Sequence, residues 1–345
     1  MVVRKNLRGL VLPCLLMLAL AFPQHGWAWG NTGHEAVAFV AWQQMTPATQ
    51  KRAMQLIMMV PTLKSPSGKS IPGFKDWVKD LPPGLSQDQQ NLFLFMRAAT
   101  WPDSIKHQGF HDSDVPPAGS GPTDPIIGFT DPATHGYWHF VDAGFASDSS
   151  QVPKTPVPNA ATQIGALRTA IASSDSDLLK AYELAWLEHL VGDVHQPLHG
   201  TARFFMGQGD EGGNKVKIKM PAAMKKQFEG TLAASAPTEL HAFWDDLPGE
   251  GQPAPALPVA ATFAKALPAA TSGLSDTDPS HWATESLALA KKDAYHAPIG
   301  DGPTPSGGGS YTITQAYFDT AMQDAKDRIA LAGARLAKLL NENLH

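Results

Sequence analysis

The sequence predicts a mainly α protein: a single compact helical domain with a small β-hairpin and long surface loops. Two observations carry this. Seven segments place apolar residues at helical spacing, and alternation of the kind a strand needs is confined to two short runs. The first helix is predicted over residues 33–45. Thr46-Pro47 then reads as an N-cap with proline at the first helical position, opening a second helix to about residue 59. A third spans 91–100 and is ended by Trp101-Pro102, and two more span 160–172 and 177–194. Helices over 280–297 and 314–343 close the chain, the last with an apolar stripe of Ile329, Leu331, Ala334, Leu336, Leu339 and Leu340. Residues 137–141 are a short aromatic run, read as a strand. Residues 215–220, "KVKIKM", alternate after a Gly-rich turn and read as the small hairpin. Long loops are expected over 61–83, 107–135, 248–258 and 299–310. No internal repeat or linker divides the chain.

The amino terminus reads as an export signal. Arg4, Lys5 and Arg8 precede an apolar run from Leu10 to Phe22, and Gly26-Trp27-Ala28 supplies the small residues that favour cleavage after Ala28. The run is short of the roughly 20 apolar residues a membrane span requires. The expected product is therefore residues 29–345, secreted or periplasmic, with no stable membrane association after cleavage. The sole cysteine, Cys14, lies in the leader, so the product carries no disulfide in a compartment that allows them. The whole chain has 27 Lys and Arg against 32 Asp and Glu, and the leader removes three of the positive charges. A broad basic nucleic-acid face is thereby excluded. If the protein handles phosphates, the positive charge must be local, as a bound metal would supply.

His and Asp recur in short-range pairs. "EHLVGDVHQPLH" contains His189, Asp193, His195 and His199, and "ELHAFWDD" contains His241 and Asp245. Residues four apart on a helix share a face, so each His-x-x-x-Asp presents an imidazole and a carboxylate together. That pair suits zinc, which takes nitrogen and carboxylate ligands. A single such pair is more often a surface ion pair on a helix; it is the accumulation, with Asp103 in "WPD" and His139 and Asp142 in "YWHFVD", that points to metal.

Six ordered motifs complete the set: Trp29–His34 ("WGNTGH"), Trp101–Asp103, His139–Asp142, His189–His199, Gly212–Asn214 and His241–Asp245. In order and spacing they resemble the secreted zinc-dependent nucleases of the S-one/P-one family. The resemblance implies three Zn2+ per chain. One would be held by Asp103, His139, His189 and Asp193, and a second by His199, His241 and Asp245. The third would be held by His34, by Asp193 as a bridge, and by the α-amine and carbonyl of Trp29, which cleavage would free. It further implies in-line attack on phosphorus by a metal-activated hydroxide, giving 5′-phosphorylated products, with Asp103 and Lys106 in catalytic roles. Implied substrates are single-stranded DNA and RNA, with 3′-nucleotidase activity on 3′-nucleotides. The enzyme is expected to be a monomer with no protein partner. Phe140 could stack a base, and Asp142 and Asn214 could hydrogen-bond base edges; core packing, a helix cap and a plain turn are the structural alternatives for these three. His195 is assigned a structural role. His107, His111, His135, His281, His296 and His345 are read as surface residues. Two other functions share the scaffold: a zinc-dependent phospholipase C, and a non-catalytic zinc-binding or storage protein with closed four-coordinate sites.

Overall fold

Residues 29–106, 108–111, 128–130, 132–173, 175–229, 236–249 and 253–344 are described by the computed structural model. The predicted leader, its cleavage point after Ala28, His107 and His345 lie outside them.

From Trp29 the chain turns at once into α1 (Asn31–Gln44). Thr46 caps α2 (Pro47–Ile57), its hydroxyl accepting the Thr49 N–H at 3.1 Å, with proline at the first helical position. The loop expected over 61–83 instead contains an antiparallel pair, β1 (Leu63–Lys64) and β2 (Ser70–Ile71), and a short helix, α3 (Phe74–Asp80). Strands of two residues are too short to show alternation in sequence. α4 (Gln87–Ala98) begins ahead of its apolar pattern because Ser86 and Gln89 form a reciprocal capping box. Trp101-Pro102 does not merely stop that helix. It opens the single turn α5 (Trp101–Ser104), with Pro in its tolerated first-turn place. The aromatic run is likewise not a strand but a 3-10 turn (Gly136–His139), entered through a left-handed His135 with φ of 45°.

β3 (Ala143–Ala146) leads to α6 (Ala160–Ile171), capped by Asn159, and α7 (Asp177–His195), capped by Ser176. β4 (Thr201–Phe205) pairs in parallel with β3 and antiparallel with β5 (Gln208–Gly209). The hairpin expected at 215–220 is corrected. β6 (Ile218–Lys219) runs parallel to a strand some ninety residues on, so its partner is remote. Then come α8 (Ala222–Glu229), α9 (Leu240–Asp245) and α10 (Pro253–Lys265), the last occupying part of the loop expected over 248–258. α11 (Pro279–Leu289) ends in a π-turn (Ala290–Ala294). β7 (Tyr311–Thr312) is the partner of β6, and α12 (Gln315–Asn343) ends the chain.

With twelve α-helices and only two- to five-residue strands among the described residues, the protein is mainly α. α7 occupies the middle. It is buried from Lys180 to His195, with α1, α2, α6, α11 and α12 packed around it. α1 also crosses α12 closely: a Cβ at Gly333 would stand 2.5 Å from the Cβ of Val40. No helix among the described residues is long and apolar enough to cross a membrane.

Candidate metal centre

α7 supplies the first two donors. His189 and Asp193, one turn apart, face α1, α5 and the 3-10 turn, and both are fully buried. His189 Nδ1 donates to the Ala99 carbonyl at the end of α4 (2.7 Å), which leaves Nε2 as a lone-pair acceptor. That Nε2 lies 3.5 Å from Asp103 Oδ1 and 3.3 Å from Asp193 Oδ2. His139 Nδ1 stands 3.0 Å from the same Nε2 and 2.9 Å from Asp193 Oδ2. From α1, His34 stacks on His189 (3.9 Å between rings) and brings its Nε2 to 3.4 Å from Asp193 Oδ1. The approach depends on Gly192: a Cβ there would sit 2.7 Å from His34 Nδ1. Within this cluster, His34, Asp103 and His189 form one group whose ligand atoms could share a metal, and His139, His189 and Asp193 form another.

A second cluster is built by the β3–β4 pairing. Val141 N–H donates to His199 O (2.8 Å) and His199 Nδ1 to His139 O (2.7 Å), so the segments ahead of the two parallel strands lie side by side. α9 brings His241, whose Nδ1 donates to Gly212 O (2.7 Å). Both Nε2 atoms are thus acceptors, and they face each other 3.1 Å apart. Asp245 completes the group, at 3.5 Å from His199 Nε2 and 3.4 Å from His241 Nε2.

This donor set fits zinc. Two imidazole lone pairs aimed at one another repel unless a cation lies between them, and each ring is held in the ligating tautomer by a carbonyl at its other nitrogen. Buried orphan atoms point the same way: both nitrogens of His34, Asp193 Oδ1 and Asp245 Oδ2 find no hydrogen-bond partner. Burial lowers His34 to about 4 and His139 to about 3, so both rings are neutral ligands at neutral pH. Asp103 is pushed up by burial but held well below the usual carboxylate range by Lys106 and His189. Asp245 goes the other way: burial raises it well above that range, against the opposing pull of His241 and Gln196. A carboxylate there needs a neighbouring cation to remain ionised.

The remaining candidates fall around these clusters. Trp29 is fully buried against Gly33, and the next residue, Gly30, donates its N–H to Asp245 O (2.9 Å). Lys106 places Nζ 2.7 Å from Asp103 Oδ1. Phe140 is half-buried and stacks on His199 (4.8 Å between rings). Asp142 is half-buried with φ of 52°, and burial raises its carboxyl to about 6. Asn214 is half-buried and donates its amide to Glu211 O (2.8 Å).

His195 points away from both clusters. Its Nδ1 donates to Val191 O and its Nε2 accepts from Arg335 Nη1 at 2.9 Å. His111, His281 and His296 are exposed, but His135 is not a surface residue: it is buried, stacked on Trp138 at 3.6 Å. Sequence reasoning also passed over Gln196, which donates to Asp245 Oδ1 at 2.6 Å, although it stands inside the His189–His199 motif. The fully buried Glu35 and Glu188 were missed as well; each adjoins a metal-competent histidine and is pushed up by burial.

A mainly α fold that gathers eight buried His and Asp residues around one central helix has the donor set of a metal-dependent protein. Comparison with known proteins narrows this: the S1/P1 Nuclease family profile matches residues 29–345, and the chain belongs to that family. Nuclease S1 of Aspergillus oryzae (strain ATCC 42149 / RIB 40) is 23% identical over 343 residues, covering 93% of this chain and 94% of that protein. Endonuclease 4 of Arabidopsis thaliana is 28% identical over 195 residues, covering 49% of this chain and 54% of that protein; the chain spans about half the length of that relative. The family is one of zinc-dependent nucleases.

Proposed function

We propose that this protein is an exported phosphodiesterase that hydrolyses single-stranded DNA and RNA to 5′-phosphorylated products and removes phosphate from 3′-nucleotides. The observation that carries the reading is the pair of Nε2 atoms of His199 and His241, 3.1 Å apart and both lacking a proton, beside a second buried His/Asp cluster. Residues 29–345 would act as one domain and as a monomer, in the periplasm or outside the cell, once residues 1–28 are removed. The start of the family match at Trp29 supports that boundary.

Three zinc ions are proposed. Asp103, His139, His189 and Asp193 would hold one, and His199, His241 and Asp245 another. His34, Asp193 and the amine and carbonyl of Trp29 would hold the third. An α-amine has a reference pKa of about 7.7–8.0 and gives up its proton readily to a metal. Bound zinc supplies Lewis-acid polarisation of the phosphate and activation of water near neutrality. The chain supplies the rest. Asp103 orients the attacking water, and the adjacent Lys106 ammonium binds a non-bridging phosphate oxygen. Phe140 stacks the base next to the scissile bond, while Asp142 and Asn214 accept or donate hydrogen bonds at its edge. A paired base cannot reach such a slot without unstacking, hence the preference for single strands.

The test uses protein beginning at Trp29, incubated with single-stranded DNA, RNA and a phosphatidylcholine analogue, with and without a chelator. Chelator-sensitive cleavage of the nucleic acids is expected. Lipid turnover without nucleic-acid turnover would reassign the protein as a phospholipase C, and chelator-insensitive cleavage would reject the metal mechanism.

A further inference from the structure

The chain is acidic overall, yet residues 215–226 carry five lysines and no Asp or Glu. The first three, Lys215, Lys217 and Lys219, are exposed, while the alternate Val216, Ile218 and Met220 are buried. In the extended segment at β6 this alternation turns Lys217 and Lys219 to one outer face, about 6.6 Å apart along the chain, and Lys215 precedes them at the end of the turn over 211–215. Lys225 and Lys226 continue the exposed positive charge onto α8.

The row begins at the second metal cluster. Gly212 O accepts from His241 Nδ1, and Val216 O, between the first two lysines, accepts from Leu240 N–H at 2.9 Å. Asp142 feels the charge of Glu211, and Glu211 is bridged to Lys215 at 2.6 Å. The lysine face is therefore continuous with the side of the site where Asp142 and Asn214 lie. Lys215 and Lys217 pair with Glu211 and Glu239, but all four groups are solvent-exposed or partly so. Such pairs are weak and screened, so a run of phosphates can displace the carboxylates.

From this we infer that Lys215, Lys217 and Lys219 form a track for the sugar-phosphate backbone of the single strand beyond the nucleotide being cleaved. The inference rests on the nuclease reading above and adds a binding surface to it. It reconciles the net acidic chain with a polyanionic substrate: the positive charge is concentrated in one short segment that runs from the turn over 211–215 into β6.

The experiment compares KM for an oligothymidylate of two nucleotides with that for one of about twelve, over about 50–200 mM salt. For single strands, the slope of log affinity against log salt changes by about 0.7 per phosphate contact. The variant Lys215→Gln/Lys217→Gln/Lys219→Gln should flatten the slope for the long substrate by about 2 and raise its KM at low salt. Its KM for the dinucleotide should shift by less than about 2-fold, because that substrate contacts no phosphate beyond the site. The charge-preserving triple Lys→Arg variant should retain the wild-type slope. An unchanged slope and KM on the long substrate overturn the track and leave these lysines as a solvated surface with no role in binding. If the wild-type protein cleaves neither length, the nuclease reading itself falls, and the track with it.

Discussion

Replacing Gln196 by leucine should weaken metal binding at the His199–His241–Asp245 cluster and leave the other cluster intact. Gln196 is fully buried, and its single amide serves two ligands. Nε2 donates to Asp245 Oδ1 at 2.6 Å, and Oε1 accepts from Leu198 N–H, fixing the turn that delivers His199. A hydrogen bond to a charged acceptor contributes about 1.5–3 kcal/mol. Loss of a partner that orients a metal ligand typically lowers metal affinity about 10–100-fold, or about 1.4–2.8 kcal/mol. The two figures agree, so a fall of that size is expected at this centre. Leucine nearly preserves the shape of glutamine but leaves the Leu198 N–H without its acceptor, so some loss of stability accompanies it. Gln196→Glu separates the effects. It keeps an acceptor for Leu198 but sets a second carboxyl group against Asp245, and should bind metal at least as poorly as the leucine variant. Calorimetric titration of chelated protein with zinc, and cobalt spectra of the substituted protein, read each centre without reference to activity. If both variants match the wild type in stoichiometry and affinity, the positioning role is wrong.

Two further outcomes follow from the same geometry. An extra residue before Trp29 turns its amine into an amide, and the zinc content should fall by one ion per chain; a full complement by elemental analysis would refute the amine as a ligand. Glu183 is fully buried on α7, and its carboxyl is raised to about 7, first by burial and then by the charge of Asp175. Between its ordinary value near 4.5 and about 7 the folded state holds a proton that the unfolded state has released, so this group lowers stability as pH rises through that window. Glu183→Gln should therefore raise Tm at pH 8 but not at pH 4. An equal gain at both would show that burial of the charge is not the cause.

What the sequence disclosed depended on whether the determinant was local. The long helices declare themselves by period and by a cap such as Thr46, because that bond closes within three residues. β6 was legible as an alternating run but its pairing was not, because its partner is β7 and nothing near residue 218 encodes that pairing. The same division runs through the site. His189 and Asp193 were legible as a pair since one helical turn joins them. That His199 meets His241 depends on the β3–β4 register and on the Gly212 carbonyl, both remote in sequence. His135 was misjudged for a related reason. Its left-handed backbone turns the ring onto Trp138, and a loop histidine gives no sign of that in composition.

Gly192 shows how far the site overrides helix propensity. In the interior of α7 a glycine costs about 0.8–1 kcal/mol relative to alanine, and on that ground Gly192→Ala should stabilise the protein. The structure predicts the opposite, because the new methyl would stand 2.7 Å from His34 Nδ1 and 3.0 Å from Cε1. His34 cannot retreat freely, since its other face is stacked on His189. Overpacking of this kind costs about 1–3 kcal/mol, which exceeds the gain in propensity or cancels it. Displacement of the ring should also remove the ion proposed to bind at His34. Gly165, in the interior of α6, is the control: a Cβ there meets nothing within 4 Å, so Gly165→Ala should gain the full propensity term. Thermal melts and zinc content of the two variants decide the matter. A Gly192→Ala protein as stabilised as Gly165→Ala, with its zinc complete, would mean that the close approach of α1 to α7 at His34 is not what fixes this residue.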